Sequence, residues 1–284
     1  MDGGSSLSRC KAEYVYSTQD TAVPNFSVCL EMLFVDESED FLGRLKLLKA
    51  TGLSHFEFWR WSRKDLVALG EACEALDLRI TACLAEPTVS LTDRALHGEF
   101  IDGLGNSIAV AQRLGIPILI VQAGSLLDSL PREVQRENLI MGLAAAAEVV
   151  AGTGVRLAVE PLNTRVDHAG YFLDSTAEAL DILDAVGRSE VGLLYDLYHS
   201  MVMGEVPQDV LAGRAGHILH VHVADYPGRN QPGTGTLPLA ESLRFIEATG
   251  FRGSVGLEFR PVGGGADAIT QAIAALSPGL DASR

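Results

Sequence analysis

Four side chains invite chemistry because each is ionisable and each closes a short apolar run. Glu160 ends VRLAVE (155–160) just before Pro161, Asp196 follows VGLLY, His222 follows ILHV, and Glu258 follows SVGL. A buried strand that ends in an unpaired carboxylate is costly, because an isolated ion loses much free energy on leaving water. Positive charge is therefore expected beside Glu160. Three carboxylates and one imidazole drawn to one point suit a divalent ion such as Mn²⁺ or Mg²⁺, or Co²⁺, better than a thiolate-bound structural zinc. Such an ion would offset the mutual repulsion of the acids and leave positions open for substrate oxygens. The competing reading has each carboxylate capping a helix or pairing with an arginine. Three carboxylates and a histidine on successive strand ends favour the shared site.

Side chains on a strand alternate faces. Ala158 shares a face with Glu160 and Gly256 with Glu258, while Leu157, Val159, Val255, Leu257 and Phe259 point the other way. The bulky set suits a strand–helix layer, and the small set suits a crowded barrel interior. Both glutamates then point inward at the C-terminal mouth, where barrel active sites lie. His220 shares the face of His222 one layer deeper and is expected to be a hydrogen-bonded core histidine. His199, three residues after Asp196, would orient that aspartate or touch substrate; a plain helix-start histidine is the competing view.

The elements that must position these groups alternate along the chain. Strands are expected at 26–30, 55–59, 78–84, 116–122, 155–160, 191–196, 217–223 and 254–259. Helices are expected at 38–50, from Ser62 as cap to Leu76, at 98–114, from Pro131 to Val150, at 175–186 with Ser175 as cap, near 207–213, at 239–249 and at 264–276. Gly52 stands where a helix stop is expected. Eight strand–helix units imply a parallel sheet covered by helices, and they match an α/β fold of the closed (β/α)₈ barrel type better than an open doubly wound sheet. Gly103-Leu104-Gly105 falls inside an expected helix and not after a strand, so it is no dinucleotide fingerprint. No linker composition interrupts the series. The expectation is a tail over 1–24 and one barrel domain over 25–284.

Bulk properties narrow the partners. The 284 residues carry a net charge of −15, which opposes binding to nucleic acid or an anionic membrane. The four cysteines (Cys10, Cys29, Cys73, Cys83) form no CxxC pair and read as buried thiols of a reducing compartment. No apolar run is long enough for a membrane span or a signal peptide, so a cytoplasmic protein is expected.

The stretches EMLF (31–34), FEF (56–58), EPLN (160–163), YDLYH (195–199), ADYPGRNQPGTG (224–235) and GLEFRP (256–261) resemble the xylose-isomerase-like sugar isomerase and epimerase barrels, most closely the hydroxypyruvate isomerase family. The correspondence spans nearly all of the chain after Phe26, and the last four stretches carry most of its specificity. It implies a metal-assisted aldose–ketose isomerisation of a small hydroxy-carbonyl compound through an enediolate. The proton chemistry then falls on Glu160 and Glu258, with Asp196 and His222 completing the metal site. Arg229 maps to a partner for a substrate carboxylate or hydroxyl; His199, Glu57 and Trp59 fall with it among the substrate contacts. A homo-oligomer is implied by the resemblance alone.

The chain also departs from that pattern. His222 stands where hydroxypyruvate isomerases can have glutamine, TACLAEP ends without the histidine of many relatives, and Glu31 replaces a small polar residue. Trp59 and Trp61 make the mouth more aromatic than a three-carbon acid needs, which suits a larger polyol; framework packing accounts equally well for at least one of them. The Gly233–Gly235 turn would either admit backbone to a ligand or close its loop. The rival readings are a ketose 3-epimerase, a keto-polyol or dehydroshikimate-type dehydratase, and a non-catalytic sugar-binding barrel. A phosphodiesterase of the DNA-repair type is disfavoured by the acidic balance and by only seven histidines.

Overall fold

The computed structural model describes residues 24–277. The expected tail, apart from Pro24, and Cys10 lie outside the described residues. The strands β1 (Asn25–Cys29), β2 (His55–Glu57), β3 (Arg79–Ile80), β4 (Ala82–Leu84), β5 (Ile118–Gln122), β6 (Arg156–Glu160), β7 (Val191–Asp196), β8 (Ile218–Val223) and β9 (Ser254–Leu257) form one sheet. Their order is β3-β2-β1-β9-β8-β7-β6-β5-β4, and each pairing is parallel. Between them run α1 (Phe41–Ala50), α2 (Leu66–Leu76), α3 (His97–Leu114), α4 (Arg132–Val150), α5 (Thr176–Val186), α6 (Leu197–Val202), α7 (Pro207–Val210), α8 (Leu239–Ala248) and α9 (Gly265–Leu276).

The two edges of the sheet, β3 and β4, are halves of the single strand expected at 78–84. The chain changes partners at Thr81, with β3 on β2 and β4 on β5. Backbone bonds from Thr81 N to Phe56 O (2.8 Å) and from Leu84 N to Trp59 O (2.9 Å) draw the edges together into a nearly closed barrel. The eight-unit (β/α) architecture is therefore what the alternation of runs implied, with one strand split at the seam.

Helix starts follow local chemistry. Ser175 caps α5 by accepting from Glu178 N, and Asp196 caps α6 through the amides of Tyr198 and His199. Ser62 does not cap α2. Its amide and hydroxyl both donate to Glu86 (2.9 and 2.8 Å), and Asp65 caps the helix instead. The short α6 precedes the helix expected near 207–213, and its start agrees with the competing view of His199 as a helix-start residue, with Asp196 as cap.

Leu157, Val159, Val255, Leu257 and Phe259 are buried in the layer between barrel and helices. Burying each such side chain contributes roughly 1.5–3 kcal/mol. The barrel interior holds a second, smaller cluster of Ala82, Leu84, Ile120, Ala158, Leu194 and Leu219, which forms a floor beneath the mouth. Between β7 and β8 the register shifts: Leu193 opposes Ile218, whereas Leu194 opposes His220. Leu219 is the extra residue of a bulge, and Gly192 makes room for it. A Cβ at Gly192 would lie 2.5 Å from His217 O and 2.6 Å from Leu219 Cγ. The bulge sets His222 level with Asp196 across the strand pair.

Candidate metal centre

Glu160 ends β6, Asp196 ends β7, His222 is next to last on β8, and Glu258 follows β9. All four are buried, and one ligand atom from each lies within 4.8 Å of the others. His222 Nδ1 is 3.5 Å from Glu160 Oε1, 3.5 Å from Glu258 Oε2 and 4.0 Å from Asp196 Oδ2. None of these is a formed hydrogen bond, so a buried ring nitrogen sits among carboxylate oxygens without a partner. Its other nitrogen, Nε2, lies 2.9 Å from Glu57 Oε1, at ion-pair distance but off the line of a hydrogen bond. A carboxylate beside the far nitrogen is a common setting for a metal-bound histidine. Oxygen donors with one imidazole, an unpartnered nitrogen and a carboxylate behind it fit a divalent cation.

The electrostatics ask for positive charge at the same point. Burial alone would push the His222 imidazole down, yet Glu57 and Glu258, with Glu160, hold it well above its ordinary value. Burial pushes Glu160 up to about 7, with Glu258 and Asp196 adding to the rise against His222. Burial also acts to raise Glu258, but Arg229 and His222, with the Trp59 N–H, hold it well below the usual carboxylate range. The two glutamates are thus driven apart by their surroundings.

The carboxylate of Glu57, which the resemblance put among the substrate contacts, lies against the two histidines. Its Oε2 is 2.7 Å from His220 Nε2 and accepts from the Thr81 hydroxyl at 3.3 Å. Gly256 makes this crossing open, since a Cβ there would meet Glu57 Oε1 at 2.5 Å and His222 Cδ2 at 2.6 Å. His220, fully buried on Glu57, is the core histidine anticipated. Burial would raise Glu57, but His222 and His220 outweigh it and bring it to about 2.

Arg229 reaches in from the β8–α8 loop and donates through Nη2 to Glu258 Oε2; the same nitrogen is 4.0 Å from Asp196 Oδ2. One donor is thus held by the site rather than free for a guest, while its buried Nε has no partner. The loop that carries it is wound on Asp225, whose carboxylate accepts from Tyr226, Gly233, Gly235 and Leu237 amides at 2.9–3.1 Å. A Cβ at Gly235 would lie 2.2 Å from Tyr226 O, so the Gly233–Gly235 turn serves loop closure.

His199 is buried beside the cluster, its Nε2 3.6 Å from Asp196 Oδ2 and without a hydrogen bond. Its Nδ1 accepts from Asn163 Nδ2 (2.6 Å) and Asn163 N (3.2 Å), which leaves the proton on Nε2, aimed at the site. Burial lowers this imidazole to about 4, outweighing Asp196. Asn163 and Asp225 had no role assigned from sequence, although EPLN and the acid-plus-glycine pattern of 225–235 contained them. The two tryptophans divide. Trp59 is 41% exposed and its indole N–H donates to Glu258 Oε1 at 2.8 Å, whereas Trp61 bonds Ser107 on α3 as framework. Glu31 pairs with Lys64 (2.6 Å), away from the cluster.

A family model described as Xylose isomerase-like TIM barrel matches residues 45–278. The hydroxypyruvate isomerase of Escherichia coli strain K12 is 28% identical over 243 residues, 83% of this chain and 93% of that protein. A putative hydroxypyruvate isomerase of Streptomyces coelicolor is 31% identical over 282 residues, 91% of this chain and 98% of that protein. Among solved structures, one titled AP endonuclease, family 2, from Brucella melitensis superposes with a TM-score of 0.81 at 26% identity, covering 87% of this chain and 97% of that one. Matched along most of its length, the chain belongs to the Xylose isomerase-like TIM barrel family, with hydroxypyruvate isomerases among its relatives.

Proposed function

We propose that the chain is a divalent-metal-dependent isomerase that interconverts the aldehyde and ketone forms of a small hydroxy-carbonyl compound, hydroxypyruvate or a related sugar or sugar acid. That it is an isomerase follows from its relatives. The observation that carries the metal and the two-glutamate chemistry is the convergence of Glu160, Asp196, His222 and Glu258 around an unpartnered His222 Nδ1.

Glu160, Asp196, His222 and Glu258 would hold the ion, which when bound supplies a Lewis acid, Mn²⁺ or Mg²⁺ by the donor chemistry. The residues do the rest. Glu258, kept ionised by Arg229, His222 and Trp59, accepts the proton from the carbon beside the carbonyl. The electron pair left behind moves into the carbonyl and forms the enediolate of the substrate. Glu160, three strands away round the barrel, gives a proton to the neighbouring carbon as the hydroxyl proton passes to the former carbonyl oxygen, and the proton held by Glu258 returns to Glu160 through solvent before the next turnover. His199 Nε2–H and the Arg229 Nε–H are buried donors without partners, and they hold substrate oxygens. Glu57 keeps the His222 ring turned so that Nδ1 faces the acids.

The test is solvent exchange. Incubated in D₂O with Mn²⁺, hydroxypyruvate and short ketoses should take up deuterium beside the carbonyl, and a chelator should stop it. Glu160→Gln and Glu258→Gln should each lower turnover by roughly 10² or more. Wild-type rates in either variant would remove that glutamate from the chemistry. Exchange confined to one carbon, with inversion and no carbonyl migration, would move the reading to a ketose 3-epimerase.

A further inference from the structure

A cavity of about 210 Å³ opens beside Glu160, lined by Thr88, Ser90, Gln122, Gly124, Ser125 and Tyr171. Its position relative to the metal centre follows from register. Gln122 is the strand partner of Glu160 at the mouth of β5 and β6, and neighbouring strands are about 4.8 Å apart. The Tyr171 hydroxyl joins the two walls, donating to Glu160 O at 3.2 Å and accepting from Ala123 N at 2.6 Å.

The walls are held by backbone bonds. Leu91 N donates to Ala123 O (3.0 Å), Phe172 N to Gly124 O (2.9 Å), and Ser125 bridges Tyr171. Gly124 has φ +97°, and a Cβ there would lie 2.3 Å from Ser90 Cα, so the loops after β4 and β5 touch backbone to backbone. The cavity is built before a ligand arrives.

Apart from Val89, its lining is polar and uncharged. The Gln122 side-chain amide makes no hydrogen bond among the described residues. Ser90 Oγ accepts from Ser125 N and Thr88 Oγ1 accepts from Arg60, which leaves both hydroxyl protons to donate. The lining residues themselves carry no charge; Arg60, which reaches Thr88, is paired with Glu86 at 3.6 Å, and a second carboxylate or a phosphate here would face Glu160. Neutral hydroxyl groups match it. With liquid water at ~30 Å³ per molecule, the volume admits about three hydroxymethylene groups.

We propose that this cavity is a subsite for the hydroxylated tail of the substrate. The chain then favours hydroxy-carbonyl compounds of roughly four to six carbons, with a neutral polyol tail, over a three-carbon acid. The reacting end sits among Glu160, Asp196, His222 and Glu258, and the tail runs over Gln122 toward Ser90 and Ser125. This rests on the isomerase reading for the reacting end, while the cavity has its own test.

Two measurements with the Mn²⁺-loaded full chain separate them. The first compares kcat/KM for hydroxypyruvate, erythrulose and a pentulose in wild type, Gln122→Leu and Ser125→Phe. A preference for the longer substrates of roughly tenfold or more is expected, and each variant should lose several times more on the pentulose than on hydroxypyruvate. Equal losses on all three, or no preference in wild type, would overturn the subsite. The second is calorimetric binding of xylitol, a tail that cannot react. Wild type should bind it more tightly than glycerol, and Ser125→Phe should abolish the difference; no xylitol binding to wild type would overturn the subsite. Xylitol binding without turnover of any compound would support the subsite and sink the isomerase reading.

Discussion

At the scale of single residues, burial and partners decide what each acid and imidazole is for. Glu160 and Glu258 have the same side chain, yet one is pushed up to about 7 by burial while the other is held low by Arg229 and His222. His199 is set by burial too. It is held neutral to about 4, below its ordinary value near 6.5. The unfolded chain therefore takes up a proton at higher pH than the folded chain, so the contribution of neutral His199 is complete above about pH 6.5 and lost as pH falls toward 4. It amounts to about 3 kcal/mol. Urea unfolding across that window should show wild type losing more stability than His199→Gln; parallel curves would remove His199 from the acid response. That Glu160, Asp196, His222 and Glu258 converge could be read from strand ends alone. The role of Glu57 could not, because alternation in FEF gives the face of a side chain and not what waits across the barrel. Its partners, His220 and His222, lie 163 and 165 residues later.

At the scale of elements, the site depends on places where a strand does something irregular. The β7–β8 bulge at Leu219, with Gly192 opposite, brings His222 into register with Asp196. Gly256 leaves the gap through which Glu57 reaches the histidines. Gly256→Ala should therefore displace Glu57 or His222, weaken Mn²⁺ binding, and cost about 1–3 kcal/mol in chemical denaturation. Unchanged metal affinity in a folded Gly256→Ala would show that the Glu57–His222 contact does not position the ring. The inward position of Gly256 was readable from the period-two pattern. The bulge was not, since ILHVHV reads as a regular run, and the split at Thr81 was hidden because a strand that changes partners keeps its apolar pattern. The expected Ser62 cap of α2 gives way to Asp65 for a related reason: both are good cap residues, and only the tertiary contact with Glu86 separates them.

At the scale of the molecule, a parallel barrel collects strand ends from distant parts of the sequence on one rim. Residues 160, 196, 222 and 258 meet because β6, β7, β8 and β9 are consecutive around the barrel. The net charge of −15 and the concentration of acids at that rim favour a cation over an anionic polymer. Among the described residues no helix is long and apolar enough to cross a membrane. An ion that binds only the folded chain stabilises it by mass action, by about 2.7 kcal/mol at a hundredfold excess over Kd. For a chain of this size that corresponds to a rise in Tm of about 5 °C. Differential scanning fluorimetry with Mn²⁺ and with a chelator checks it, and coincident melting curves would speak against a folded-state metal site.

The most direct measurement is a calorimetric titration of Mn²⁺ into chelator-stripped protein, repeated on Asp196→Ala and His222→Ala. Wild type should bind one ion per chain with release of protons, and each variant should bind at least about tenfold more weakly. No saturable binding to wild type, or the same isotherm from all three proteins, would contradict a metal centre built from these strand ends.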